Sequence, residues 1–237
     1  MLIINGKGNA SGDAPVVVGV GRFSSKMSKD GSKPSDGKIE GVGSILGGVY
    51  GDLRISGVCT IEGDLEADTL NIDGVCTCTG SVNAKAFDCD GVLTIQGDLR
   101  ADTIDVDGVV TVNGSKIEAN RIDCDGVISV TGEISADVIE ADGKINAAEI
   151  VGDSIRIKSY WKNGLLRVLF KLGEKASMKY SVVDLIEGTT VELRGVRAKS
   201  VNGKDVRIGK NCEIDSVDAS GELVVHPASR VGEVVNG

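Results

Sequence analysis

The sequence predicts an all-β protein, a β-solenoid with about 17 residues per coil. Glycine recurs every 16 to 18 residues, at Gly41, Gly57, Gly74, Gly91, Gly108, Gly126 and Gly143. Such a short repeat indicates a small unit that must bury its apolar side against its neighbours. Apolar and polar residues alternate within each repeat, which indicates short strands. Aromatic residues make up 3% of the chain and 33 of its 237 residues are glycine, which fits a thin core of small and β-branched side chains.

Residues 1–38 precede the regular repeats and are predicted to be partly flexible. Ser24–Lys38 reads SSKMSKDGSKPSDGK, a polar composition typical of a loop or linker. Leu2–Ile4 and Val16–Val18 are strand-like and could form an irregular first coil. The apolar start MLII also fits a short anchoring tail, so the sequence leaves both interpretations open.

Residues 39–157 hold the clearest copies of the repeat and are predicted to form the main β-helix. The copy Asp90–Val106 reads DGVLTIQGDLRADTIDV. Its Asp-Gly pair and the glycine six residues later are expected to supply the bends, because glycine tolerates positive φ. The copy Asp107–Cys124 has one extra residue, which predicts a β-bulge near Lys116.

Equivalent apolar residues are predicted to stack in four inward columns, with coils about 4.8 Å apart. The columns are Cys59, Cys76, Leu93, Val110, Ile128 and Ile145; Ile45, Ile61, Cys78, Ile95, Val112 and Val130; Leu53, Leu70, Phe87, Ile104, Ile122, Ile139 and Ile155; and Ile55, Ile72, Cys89, Val106, Cys124 and Ile157. Each column stays apolar and medium-sized, as an interior ladder requires.

Residues 158–186 interrupt the repeat. They are predicted to be either a basic and aromatic insertion or a degenerate coil. In a chain of net charge −9, such a segment indicates contact with a membrane surface, an acidic partner or another copy of the chain. The residues expected to make that contact are Tyr160, Trp161, Leu165, Leu166, Arg167, Phe170 and Lys171. The alternative is a loop that folds back to cover the coils.

Residues 187–237 are predicted to form further coils that end the solenoid. The outermost coil of a solenoid exposes strand edges and a slice of core, which must be capped or paired. No helix-forming cap is evident in the sequence, and the C-terminal coil is apolar. We therefore expect self-association near Leu223, Val225, Val231 and Val234.

Composition excludes several classes of function. The acidic charge argues against nucleic acid as a partner, because phosphate binding needs a basic face. No apolar run approaches the ~18 residues of a membrane span and no signal-peptide pattern is present. Five of the six cysteines fall in the inward columns, where reduced cysteine packs as a small hydrophobe in a cytoplasmic protein.

Catalytic, cofactor and metal sites are not predicted. Cys76 and Cys78 have no histidine nearby and no second Cys-x-x-Cys pair, which argues against zinc. His226 is the only histidine, and its position beside Pro227 is interpreted as a surface turn. The chain has no Ser/His/Asp set and no phosphate-binding glycine loop, so we predict that it is not an enzyme.

Two outward columns leave binding alternatives open. Asp73, Asp90, Asp107, Asp125 and Asp142 would stack at a turn, either as a calcium ladder or because Asp suits the residue before Gly in a tight turn. Thr60, Thr77, Thr94, Thr111 and Ser129 would face outward, as in ice-binding solenoids or as ordinary strand residues. A β-helix acyltransferase, a third alternative, would need a catalytic histidine in a cleft, a role that His226 serves poorly.

The copies of the form DGVLTIQGDLRADTIDV over Gly41–Ile157 resemble the bactofilins, bacterial polymer-forming cytoskeletal proteins. The ending VRAKSVNGKDVRIGKNCEIDSVDASGELVVHPASRVGEVV is similar to the C-terminal part of a longer bactofilin-like group. This resemblance implies a right-handed β-helix that polymerises end to end, without nucleotide, into filaments at the inner membrane. The implied partners are other copies, the membrane surface, and cell-wall or morphogenesis proteins that the scaffold recruits.

Overall fold

The computed structural model describes residues 17–26, 35–159 and 180–235. Within these ranges the protein is all-β, with no helix. The strands are β1 (Val17–Lys26), β2 (Ser35–Ile55), β3 (Val58–Ile72), β4 (Val75–Cys78), β5 (Val82–Cys89), β6 (Val92–Ile95), β7 (Leu99–Val106), β8 (Val109–Val112), β9 (Lys116–Cys124), β10 (Val127–Val130), β11 (Glu133–Ala141), β12 (Lys144–Lys158), β13 (Ser181–Arg194), β14 (Val196–Ile208), β15 (Glu213–Ala219), β16 (Leu223–Val225) and β17 (Arg230–Val235).

The chain divides into two compact units, residues 1–120 and 121–237. In the first unit, the parallel strands β3, β5 and β7 form one ladder, and β3, β4, β6 and β8 form another. In the second unit, β12, β13, β14, β15 and β17 pair in parallel. Partners on β3 to β8 lie 17 residues apart, as Val75 and Val92 do. The predicted β-solenoid is therefore confirmed.

The core consists of the predicted inward columns and of a further buried column, with Leu65, Val82 and Leu99 in register, that the sequence prediction did not include. Every residue assigned to the four columns is buried, from Ile45 and Cys59 in the first unit to Ile155 and Ile157 in the second. In-register pairing stacks each side chain on its equivalent in the next coil, as Leu70 stacks on Phe87. Burial of these aliphatic ladders is the main stabilising contribution of the fold.

The repeated glycines are explained by close contact between coils. A Cβ atom on Gly57, Gly74 or Gly91 would lie only 1.9 to 2.0 Å from the carbonyl oxygen of the glycine one coil earlier. Positive φ among the described glycines occurs at Gly41, Gly48, Gly63 and Gly195. The predicted explanation by positive φ is therefore wrong for Gly57, Gly74 and Gly91, where the missing side chain is what the stacking requires.

The extra residue of the copy Asp107–Cys124 is accommodated near Lys116, where the bulge was predicted. The Asp98 carboxylate accepts hydrogen bonds from two successive amides, those of Ser115 at 2.7 Å and Lys116 at 3.0 Å. The next residue, Ile117, is already buried. One carboxylate thus pairs both amide groups, so that the longer copy leaves neither of them without a partner.

All six cysteines are free and buried, including Cys212, which lies outside the predicted columns. Burial disfavours the charged thiolate, so it raises the pKa of Cys89 to about 12 and also raises the pKa of Cys78 and Cys212. These thiols pack as core residues, in agreement with the sequence prediction.

The strands that flank residues 160–179 pair directly with each other. β12 and β13 are in register, with Ile150 beside Ile186. The hydroxyls of Ser159 and Ser181 lie 2.6 Å apart. β13 begins at Ser181, inside the predicted interruption 158–186, so Ser181–Ile186 belongs to the stack of coils.

Candidate self-association site

The C-terminal coil continues the core columns of the second unit. β16 pairs with β14, which places Leu223 beside Val206 and Val225 beside Ile208. β17 pairs with β15, which places Val231 beside Ile214 and Val234 beside Val217. The structure therefore brings together all four residues predicted for self-association, as one layer stacked on the preceding coil.

This layer differs from the one beneath it in exposure. Ile208 is 1% exposed and Val217 is 0% exposed, because the C-terminal coil covers them. Their equivalents Val225 and Val234 are 39% and 47% exposed. The C-terminal coil thus presents core residues to solvent, where inner coils bury the same positions.

Hydrogen bonds hold this coil in place. The Ser229 hydroxyl donates to the Gly209 carbonyl at 2.5 Å and accepts from the Cys212 amide at 2.9 Å. The Arg230 amide donates to the Cys212 carbonyl at 2.9 Å. The exposed layer is therefore a fixed surface that needs little ordering before it binds.

His226 lies in the turn between β16 and β17 and is half-buried. Its backbone amide donates to the Ile208 carbonyl at 2.8 Å. Its Nδ1 accepts a hydrogen bond from the Ala228 amide at 3.0 Å. The side chain is engaged in the turn, as the sequence interpretation expects.

A groove of about 740 Å³ lies beside the same coil, in the second unit. Its described lining includes Tyr180, Glu213, Ser229 and Arg230, and none of the described lining residues is a histidine. The Arg197 guanidinium lies 4.3 Å from the centre of the Tyr180 ring, a cation–π contact.

β1 covers the strand edge at the other end of the repeats, in the first unit. It runs antiparallel to β2, from Val17 opposite Ile45 to Lys26 opposite Asp36. Val16–Val18 was considered as part of an irregular first coil, and the described part of that stretch instead belongs to this antiparallel strand. Among the described residues, this antiparallel pairing reaches only as far as Ile45 on β2.

The beginning of β2 also covers the first layer of the core. The Asp36 carboxylate accepts a hydrogen bond from the Asp52 amide at 2.9 Å, and the Ile39 carbonyl accepts from the Ser56 amide at 2.9 Å. Ile39, like Leu53, is buried. This capped layer contrasts with the exposed layer of the C-terminal coil, and the sequence analysis missed it.

The predicted partner-contact residues Tyr160, Trp161, Leu165, Leu166, Arg167, Phe170 and Lys171 lie outside the described residues. So does Leu2–Ile4, which was considered as an anchoring tail. No helix among the described residues is long and apolar enough to span a bilayer.

The aspartate column does not gather into a cation site within the described ranges. Asp73 forms an ion pair with Arg54, 2.6 Å from its Nη2. No group of three or more His, Cys, Asp or Glu side chains among the described residues could hold a metal ion. Burial, followed by the charges of Asp90, Asp73 and Asp107, raises the pKa of the neighbouring Asp88 carboxyl.

Comparison with known proteins gives one short match. The uncharacterized protein YhbE of Bacillus subtilis (strain 168) is 42% identical to this chain over 48 residues. That match covers 20% of this chain and 20% of YhbE. No protein-family model and no solved structure matches the chain.

Proposed function

We propose that this protein is a non-enzymatic scaffold that self-associates through its C-terminal coil. The observation that supports the proposal is the exposure of the C-terminal coil at positions that the preceding coils bury. Val225 and Val234 are exposed, and Leu223 and Val231 are half-buried. An exposed strand edge with apolar side chains favours pairing with another edge. The most direct partner is the same coil of a second copy.

We call this contact between two C-terminal coils the C-terminal joint. It would be isologous, because the same surface serves both partners. Two C-terminal coils facing each other would continue the hydrogen-bonded ladder and bury both apolar layers. Burial of each exposed valine contributes about 1 kcal/mol at ~25 cal/mol per Å². The aligned backbone groups add direction and register to that apolar attraction.

One isologous joint closes a pair, so longer filaments need a second contact. At the N-terminal end, β1 pairs with β2 from Asp36 to Ile45, and the start of β2 hydrogen-bonds to the amides of Asp52 and Ser56. Within the described residues, only the part of β2 between these contacts is left for another strand. We propose that end-to-end growth without nucleotide uses this end after the C-terminal joint has formed. In the cell, the polymer would lie in the cytoplasm near the inner membrane and recruit cell-envelope or morphogenesis proteins.

The Val225→Lys variant tests the joint. A lysine in the exposed layer would face its own copy across the joint, so we expect a folded monomer where the unmodified chain forms pairs or filaments. Val182→Lys is the matched control, because Val182 on β13 is 40% exposed and lies outside the C-terminal coil. Light scattering gives the mass, electron microscopy shows filaments, and circular dichroism confirms the fold.

Either of two results would contradict the proposal. The unmodified chain could remain a monomer at every concentration, which would favour a surface-binding solenoid or a β-helix acyltransferase. Alternatively, Val225→Lys could assemble as the unmodified chain does, which would place the joint elsewhere.

A further inference from the structure

The first unit carries a face of outward side chains that neither the C-terminal joint nor the core uses. We call it the Val/Thr face. Its three columns are Val42, Val58, Val75, Val92 and Val109; Ser44, Thr60, Thr77, Thr94 and Thr111; and Leu46, Glu62, Thr79, Gln96 and Asn113. The valine column is in register from strand to strand, which makes the face a regular ladder.

The valines of this face are exposed to an unusual degree. Val42 is 60% exposed, and Val58 and Val75 are each nearly half exposed. Contiguous apolar patches on a protein surface indicate contact with another molecule, whereas single exposed residues do not. The threonine column beside them adds hydroxyls without charge.

The face is also almost free of charge, in a chain where 26% of residues are charged. Glu62 is the one charged side chain in the three columns. The neighbouring strands of the same unit carry their charges on other sides, with Lys85 paired to Asp68 at 2.5 Å and Arg100 paired to Glu118 at 2.8 Å. The valine and threonine columns thus carry no charged side chain, and the nearest charged column, Asp73, Asp90 and Asp107, lies two residues before the valines at the edge of the face.

We propose that the Val/Thr face is a lateral self-association surface, and that its partner is the same face of a second copy. Two chains of net charge −9 repel each other, and they can approach with least repulsion through a face that carries few charges. A two-fold axis in the plane of the contact, parallel to the strands through the centre of the face, would set the valine column against the valine column of the partner. The central residue, Thr77, would then meet its own equivalent.

The area of the face determines how strong the contact is. Five strands about 4.8 Å apart and about 13 Å wide give roughly 300 Å², well below the ~800 Å² per partner of a standard interface. The contact is therefore weak between single molecules. It becomes effective when several copies are held together, because linked sites bind with a high effective concentration.

This inference deepens the proposed function, because two different isologous contacts, one at the C-terminal coil and one on this face, generate an open array even while the N-terminal end stays capped. The test does not depend on the C-terminal joint. It uses the Val225→Lys chain, in which that joint is blocked, and measures mass by sedimentation equilibrium up to near-millimolar concentration.

We expect the Val225→Lys chain to show weak, concentration-dependent association. Adding Val75→Lys should lower the association constant at least tenfold, whereas adding Val182→Lys should leave it unchanged. Equal association in the two double variants would overturn the lateral contact, and so would a monomer at every concentration. If the unmodified chain also remains a monomer, this result contradicts the proposed C-terminal joint, independently of the lateral contact.

Oxidative cross-linking locates the axis of the contact. Under mild oxidation with oxidised glutathione, the Thr77→Cys variant should form disulfide-linked dimers, because its new thiol meets its equivalent across the face. Thr103→Cys is the matched control, since Thr103 is exposed on β7 of the same unit and lies outside the face. Equal cross-linking of both variants would show random collision and would overturn the assignment to this face.

Discussion

Gly74 illustrates how a single residue sets the spacing of the coils. A Cβ at this position would lie 2.0 Å from the Gly57 carbonyl oxygen, so the backbones can stack only without it. The sequence showed that glycine recurs but could not show why. Positive φ and close backbone contact both require glycine, and they leave the same mark in a sequence.

The Gly74→Ala variant should lose stability, because the methyl group collides with backbone that cannot move without separating two coils. We expect a loss of about 3 kcal/mol in the free energy of unfolding, measured by urea denaturation. Gly209→Ala is the graded control: its Cβ would lie 2.9 Å from the Leu193 carbonyl oxygen, so a smaller loss is expected. Equal losses in the two variants would show that backbone flexibility, rather than contact, explains these glycines.

Among the structural elements, the columns were predicted correctly and β1 was not. Repetition identifies parallel coils, because each inward position recurs at the same interval and can be checked several times. β1 pairs antiparallel with β2 and occurs once, so no recurrence reveals its partner. The valine column of the Val/Thr face was also overlooked, although a valine follows the glycine in six successive copies, at Val42, Val58, Val75, Val92, Val109 and Val127.

Removal of β1 tests its role as a cap. A chain that begins at Ser35 keeps the hydrogen bonds of Asp36 and Ile39 but frees the β2 edge from Asp36 to Ile45. We expect this truncated chain to assemble into longer particles than the full chain at equal concentration, as seen by electron microscopy and light scattering. Particles of unchanged length would show that β1 does not limit assembly.

For the whole molecule, acidity and self-association have to be reconciled. A net charge of −9 keeps copies apart in solution, whereas both proposed contacts are apolar. The C-terminal contact stays a prediction, which the sequence suggests because four apolar residues fall on the last repeat. The exposure of the C-terminal coil and the capping of the first core layer depend on which strand covers each layer. That information lies in the tertiary structure.

Because of this balance between repulsion and apolar contact, self-association is expected to depend on the salt concentration. Raising the salt concentration from 10 to 150 mM shortens the Debye length from about 30 Å to about 8 Å, which weakens repulsion between copies and leaves apolar contacts intact. We expect the association constant of the unmodified chain, measured by sedimentation, to increase several-fold. A decrease would indicate that ion pairs, such as those available to the basic residues of 158–179, hold the copies together.

The in-register stacking of equal residues makes the number of coils adjustable by gene duplication or loss. If residues 74–90 were removed, Gly91 would lie on Gly57, and Val92 and Leu99 would lie on Val58 and Leu65, which already have partners of the same kind. Neither the capped first layer nor the exposed last layer would be altered. Evolution could therefore lengthen or shorten such a protein one coil at a time while it inherits both ends unchanged.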